Sequence, residues 1–518
     1  METTYIVLIA LTIIYIPLFL YVKFGKKLEE KGLVPYGPCI MIRTKVGLKL
    51  IDRLGRYKRV WRVMGIISRI ITILLMIYIV TIIIIDLILI PSAIGKGGMG
   101  IEYALAIPGL NPMLPIVYGW IALILAMVVH ELAHGIQSRA NDITVDSTGL
   151  LYAVVPVGAF VEPNEEEIEK SSRGAKMDLY AAGITTNFIV AMITFILMFS
   201  MASATMESDY EDNPAIYGFT SNSPMMEYDI PTTSIILRIG TADVATIDDV
   251  YIYLDGTTHG FGAYDVTYLY KGTETTVNNA RLGTFINGVM KNSPASTTGM
   301  ESGDFIVELN GQKIGAPASF TDFMSGTTPG SELTIKYFDS SKELPIENPD
   351  AYVTETVTLT NNNGKGYLGV TTTLSGMSLT TPEIIMNNGI DPYYGQTTFT
   401  GYINGTIGYL AKAFNGFSPV PESTHWWYHS TFTSDTAMWI IIQLLYWIFW
   451  LNIVLGVTNA LPAVPFDGGF LFMGGVDYIT EKFVKDEKKK ERIVDTICTG
   501  TTYFMLFALI LVLFVIIV

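Results

Sequence analysis

The chain has 518 residues, half of them hydrophobic and only 16% charged, with a positive mean hydropathy. That balance excludes a large soluble globule and points to a protein that crosses a bilayer several times. The net charge of −15 disfavours a nucleic-acid partner, and Cys39 and Cys498 are too few for a disulfide framework or a cysteine-ligated zinc.

Apolar stretches at 5–22, 70–90, 115–136, 179–199, 438–460 and 501–518 predict six spans, the last starting a turn earlier near Ile497. The first is followed by Lys23, Lys26 and Lys27 with no small-residue cleavage site, so it is expected to be a retained anchor. Residues 23–62 hold twelve Lys/Arg and three acids, which assigns this segment to the cytoplasm. Both chain termini and residues 92–114 then face outward, while 139–176 and the Lys-rich 482–492 lie inside.

The third span carries His130-Glu131-Leu132-Ala133-His134. Histidines at i and i+4 of a helix face one ion, and the intervening Glu131 can reach a metal-held water as general base. Ionisable groups at membrane depth are costly and rarely kept without a role. Residues 149–161 are β-rich, too short to span and broken by Pro156 and Gly158; they predict a membrane-dipping β-hairpin. The edge formed by Val155, Val157, Gly158, Ala159 and Phe160 is expected to pair with an extended substrate strand. Asn187, in the fourth span, reaches a comparable depth; it is a candidate oxyanion donor or an interhelical hydrogen bond, and Asn459 is a second candidate.

Residues 204–435 hold 26 Asp/Glu against 9 Lys/Arg and read as a water-exposed block outside the membrane. Within it a repeat of about seventy residues stands out. Gly218 to Pro224 returns as Gly288 to Pro294, and Ile235 to Gly240 returns as Phe305 to Gly311. Each unit is expected to be a small β domain, the first spanning 214–283 and the second 284–372. Residues 373–436 are expected to be a linker and interfacial segment, with Trp426-Trp427-Tyr428 as an aromatic anchor and His425 and His429 outside any metal site.

The fifth span ends in Asn459-Ala-Leu-Pro462-Ala-Val-Pro465-Phe-Asp467-Gly468-Gly469. The prolines and paired glycines break the helix, and broken backbone at membrane depth belongs where it is buried in protein or lines a wet cavity. Asp467 is the natural third ligand beside His130 and His134, leaving a fourth position open for water.

His130-Glu131-x-x-His134 paired with Asn459-x-x-Pro462-x4-Asp467-Gly468 resembles the two signatures of the site-2 protease family of intramembrane zinc metalloproteases. Pro108-Gly109-Leu110-Asn111-Pro112 and Ala182-Gly183-Ile-Thr-Thr-Asn187-Phe188 look like further motifs of that family, although Ile184 stands where the family often has Pro. The second repeat, with Gly299-Met-Glu-Ser-Gly303-Asp304, resembles a PDZ domain; the first lacks that element and is a degenerate PDZ-like unit. The resemblance implies one Zn2+ per chain and cleavage of single-span membrane proteins near the cytoplasmic side. It also implies external PDZ-like domains that gate access and that could hold a peptide or chain terminus.

The expected architecture is a polytopic α-helical membrane protein of about six spans with a membrane-dipping β-hairpin and inserted extracytoplasmic tandem PDZ-like domains. In chain order it comprises a two-span region over 1–104, a first membrane core over 105–203, the external segments over 214–436 and a second membrane core over 437–518. Two rivals are a non-catalytic scaffold working through the external domains and a metal-dependent transporter. Complete ligands with Glu131 count against the first, and the lack of repeated broken spans counts against the second.

Overall fold

The computed structural model describes residues 2–25, 28–93, 108, 109, 111, 112, 114–256, 259–414 and 418–517. They form two compact units. One comprises Met1–Ala202, Thr406–Pro419 and Trp439–Val518; the other comprises Ser203–Gly405 and Val420–Met438.

Five helices among the described residues are long and apolar enough to cross a membrane: Lys58–Pro91, Ile116–Ala140, Arg173–Thr205, Asp435–Asn459 and Glu487–Phe514. The first expected span, 5–22, falls on the helix Glu2–Phe24, whose described apolar part, Ile9–Phe24, is shorter. The final helix begins at Glu487, so the Lys-rich residues 488–490 are its first turn rather than a loop. Small residues let these helices approach closely. Gly456 admits the 173–205 helix, where an added Cβ would stand 3.3 Å from the Ile184 carbonyl and 3.4 Å from Asn187 Cβ.

The expected hairpin is present as Val145–Tyr152 and Pro156–Pro163, but it is not alone. Strands Leu33–Tyr36 and Cys39–Thr44 extend it to a four-stranded antiparallel sheet in chain order. Ile40 pairs with Tyr152 and Thr44 with Thr148. The basic segment after the first helix is therefore folded, and a short helix, Leu48–Gly55, follows its strands. The two strands are only four and six residues long and Pro35 interrupts the first, so periodicity alone does not mark them. Tyr15 of the first helix donates from its hydroxyl to the Pro38 carbonyl at 2.6 Å and packs on the Tyr152 ring, anchoring that helix on the sheet.

The second unit is built around a sheet with a pseudo-twofold order. From its centre outward, one half runs Met377–Thr380, Ala215–Phe219, Ile235–Ile239, Gly262–Tyr270 and Thr273–Leu282. The other runs Val370–Leu374, Thr284–Val289, Phe305–Leu309, Glu332–Phe338 and Tyr352–Thr358. Helices Ile247–Leu254 and Pro317–Ser325 occupy matching places, and each half has its own core, centred on Ile236 and Val250 or on Ile306 and Phe320. The match extends to single atoms: an added Cβ on Gly376 would meet Ser223 Cβ at 2.5 Å, and one on Gly369 would meet Ser293 Cβ at 2.1 Å.

Two boundaries differ from those expected. The first repeat is completed by Met377–Thr380, which lies in sequence beyond the whole second repeat, so 214–283 is not closed in itself. Residues 373–436 are not a linker: they supply that strand, the helix Pro382–Ile390 and a buried aromatic turn. Trp427 is only 2% exposed and donates from Nε1 to the Thr233 carbonyl at 2.8 Å, so it is packed in the β unit and is not an interfacial anchor.

Candidate metal centre

The helix Ile116–Ala140 is apolar through most of its length and turns both histidines to its buried side. Their rings stand edge to face with centroids 4.7 Å apart, as the i, i+4 spacing requires. The third donor arrives from the broken segment. The 435–459 helix stops at Asn459, a compact turn follows, and a new helix, Asp467–Phe483, starts on the acid itself. Gly468 and Gly469 are needed there. Added Cβ atoms would lie 2.4 Å from the Ala460 carbonyl carbon and 2.5 Å from that of Ala463, against backbone that cannot yield. The turn is held by Ile83, Met505 and Ala508 around Leu461 and Ala463, and the Val464 amide donates to the Thr502 hydroxyl at 3.2 Å.

Asp467 Oδ2 comes to 3.0 Å from His130 Nε2 and 3.2 Å from His134 Nε2. A tetrahedral zinc with bonds of about 2.0–2.1 Å holds its ligand atoms roughly 3.3 Å apart, so this donor triangle fits that ion. No other group of three potential ligands converges among the described residues. His134 Nδ1 lies 2.7 Å from the Leu179 carbonyl, which fixes the ring so that Nε2 points to the site. His130 Nδ1 is buried without a hydrogen-bond partner. The fourth wall is Gly183, where an added Cβ would stand 2.6 Å from His134 Nε2 and 2.7 Å from His130 Nε2. The cradle therefore has room for an ion only because this position lacks a side chain.

Glu131 sits beside the triangle, and its Oε2 accepts from the Val161 amide at 3.0 Å. That hydrogen bond ties the acid to the strand Pro156–Pro163, which is an edge of the four-stranded sheet. Of the expected edge residues, Gly158, Ala159 and Phe160 lie in this strand, and the Phe160 ring covers Gly149 opposite. Val155 is corrected to the turn, where its carbonyl accepts from the Ala153 amide; the side chain of Val157 lies outside the described residues, as does Leu110. Asn187 is fully buried one turn beyond Gly183, with neither amide atom hydrogen-bonded. Asn459 instead donates to the Leu455 carbonyl of its own helix at 3.1 Å. His425 and His429 stay apart from any ligand cluster: His425 Nε2 lies 3.1 Å from the Val420 carbonyl.

A helix pair carries Asp467 to its place. Arg173, first residue of the 173–205 helix, reaches Asp477 at 2.6 Å and Glu481 at 2.5 Å. Further along, Met177 fills the space at Gly474, and Tyr180 stacks on Phe470 at 4.5 Å. The same helix then presents Leu179 and Gly183 to the histidines. Sequence reasoning placed Gly183 in a motif without a role and counted Arg173 only among the basic residues of the 139–176 segment; a glycine followed by an asparagine four residues on, in an apolar helix, was the available signal for Gly183.

Residues 118–509 match the sequence model of peptidase family M50. The chain belongs to that family, the site-2 proteases. It is a zinc metalloendopeptidase with the membrane helices expected of the family. An uncharacterized protein of Methanocaldococcus jannaschii is 24% identical over 90% of this chain and 84% of its own length. The zinc metalloprotease RasP of Shouchella clausii is 28% identical over 45% of this chain and 49% of its own. A Brucella suis protein that bears the name putative zinc metalloprotease is 30% identical over 38% of this chain and 50% of its own. The chain thus spans about half the length of these two metalloproteases.

Proposed function

We propose that this M50 peptidase cleaves single-span membrane proteins within the bilayer, near its cytoplasmic side, with His130, His134 and Asp467 as zinc ligands and Glu131 as general base. The observation that carries the reading is the triangle of Nε2, Nε2 and Oδ2 atoms in a buried cradle closed by Gly183. His130, His134 and Asp467 would hold the zinc, which would acidify a bound water and polarise the peptide carbonyl. Glu131 takes the proton of the attacking water and returns it to the leaving amine. The Leu179 carbonyl keeps His134 in the ligating tautomer. Asn187 supplies a neutral donor from a buried and otherwise unpartnered amide, while the engagement of Asn459 with its own helix favours Asn187 for this role.

A transmembrane helix has its peptide groups already hydrogen-bonded, so the substrate must be held extended. The Pro156–Pro163 edge, joined to Glu131 through the Val161 amide, suits pairing with such a strand. The two halves of the β unit are read as PDZ-like domains on the outer side that restrict bulky substrates, the first being degenerate. The positive-inside bias of residues 23–62 supports this orientation.

The test is cleavage of a model single-span substrate by reconstituted wild type and Glu131→Gln, with zinc content measured on both. Loss of cleavage with zinc retained is expected. Equal cleavage by the two proteins would remove Glu131 from the chemistry and revive the scaffold reading for the external unit.

A further inference from the structure

The helix Leu48–Gly55 lies outside the family-matched residues and has two opposed faces. On the inner face Ile51 is fully buried and Gly55 is buried beside it. A Cβ added to Gly135, the residue after His134, would stand 2.8 Å from Ile51 Cδ1, and one on Gly55 would stand 2.5 Å from Arg139 Cβ. Asp52, the sole acid of the helix, is taken by Arg139 at 2.5 Å. On the outer face, Lys49, Arg53 and Arg56 recur at i, i+4 and i+7, roughly opposite Ile51 around the axis.

These three cations are exposed, as are Lys45 and Arg59, and none has a carboxylate within ion-pair distance among the described residues. Their neighbours Arg43, Lys58 and Arg62 are all paired, with Glu162 or Asp142. The unpaired set is therefore selective, not a general excess of charge. Beside it, Val46 is 80% exposed, and Leu50 and Tyr57 are also exposed, an apolar row next to a basic one.

The location fixes the partner. The helix packs on the last turns of the candidate span Ile116–Ala140, beside Gly135 and Arg139, where its apolar stretch gives way to polar residues. That contact sets it near the level of lipid headgroups. A basic row flanked by exposed apolar side chains at that level is complementary to an anionic lipid surface.

We propose that the Leu48–Gly55 helix is a docking surface for anionic lipid headgroups, with Lys49, Arg53 and Arg56 contacting phosphate and Leu50 entering the acyl boundary. The inference is independent of the protease reading, because it rests only on this helix and the span ends beside it. An acidic protein segment would satisfy the charges but would leave Leu50 and Val46 without a partner.

The experiment uses the full chain with Cys39→Ser and Cys498→Ser, a fluorescent label at Leu50→Cys, and reconstitution in phosphatidylcholine vesicles. Equal small fractions of brominated phosphatidylglycerol or brominated phosphatidylcholine are compared as quenchers. Quenching by the anionic lipid is expected to exceed that by the neutral one at least about threefold. The excess should vanish in Lys49→Gln/Arg53→Gln/Arg56→Gln and shrink at high salt, and soluble glycerol phosphate should not compete. Equal quenching by the two lipids in the unsubstituted-arginine protein overturns the proposal without recourse to the triple variant. Absence of quenching by either overturns it too, and competition by glycerol phosphate would reassign the site to a soluble anion.

Discussion

Gly183 stands so close to His134 that an added Cβ would lie 2.6 Å from its Nε2. Neither ring can retreat, because His134 is held by the Leu179 carbonyl and His130 is buried beside it. Gly183→Ala is therefore expected to displace the ligand nitrogens at a cost of about 1–3 kcal/mol of overpacking and to weaken zinc binding about 10–100-fold. Zinc titration against a chelator of known affinity reads this directly. Unchanged affinity would mean that the histidines do not converge on the ion as described.

Glu131→Gln should lower the cleavage rate by about 10²–10⁴-fold while sparing metal content. The glutamine carbonyl can still accept from the Val161 amide, so the edge strand keeps its position. Asp467→Ala differs in kind: it removes a donor from the triangle and should empty the site. Metal analysis of the two purified variants separates a lost base from a lost ligand.

Arg173 is partly exposed, and its ion pairs are worth little as bulk stability. Their effect is geometric, since they register the helix that begins at Asp467. Arg173→Ala should accelerate zinc release to chelator by about three- to tenfold, and Arg173→Lys should recover part of that loss. Release at the wild-type rate from Arg173→Ala would show that Tyr180 and Phe470 alone keep the register.

Glu167 links the end of the histidine helix to the hairpin by accepting from the Thr144 amide at 2.5 Å and from its hydroxyl at 2.9 Å. The amide hydrogen bond, then the hydroxyl, holds its carboxyl below the ordinary range. The folded protein thus favours the charged form. This contribution is complete above the unfolded pKa of about 4.3 and is lost as pH falls through the lower folded value. The protection of the Thr144 amide against hydrogen exchange, relative to its intrinsic rate at each pH, should fall in acid in the wild type, and Glu167→Gln should make that protection insensitive to pH over the same interval.

Trp427 fills the β unit and satisfies the Thr233 carbonyl. Trp427→Ala should destabilise that unit by about 3–5 kcal/mol, seen as a lower unfolding transition, with zinc content unaffected. His425→Ala and His429→Ala should likewise leave zinc content unchanged.

The site was more legible than its surroundings, and the reason is physical. Two histidines at helical spacing and an acid after a broken span carry chemistry that few apolar helices tolerate, so His130, His134 and Asp467 stood out before any fold was known. What the residues could not announce was contact between distant elements. Gly183 matters through what it lacks, and Arg173 through partners three hundred positions away. The strand Cys39–Thr44 pairs on one side with residues more than a hundred positions later, so its local sequence holds little trace of the sheet it joins. Trp427 was misplaced because an exposed interfacial tryptophan and a buried one read alike until a cavity is seen around it.

The first β repeat receives its last strand from Met377–Thr380, after the chain has already traversed the second. The two halves are consequently not interchangeable cassettes. Ending the chain before Met377 would strip the first half of its closing strand, whereas excising residues 284–374 and joining Gly283 to Ser375 would preserve it, because these two residues already meet through the Gly283 amide and the Ser375 hydroxyl. The second half is thus an insertion within the first, and the strand that completes the earlier repeat is supplied only after the later one is complete in sequence.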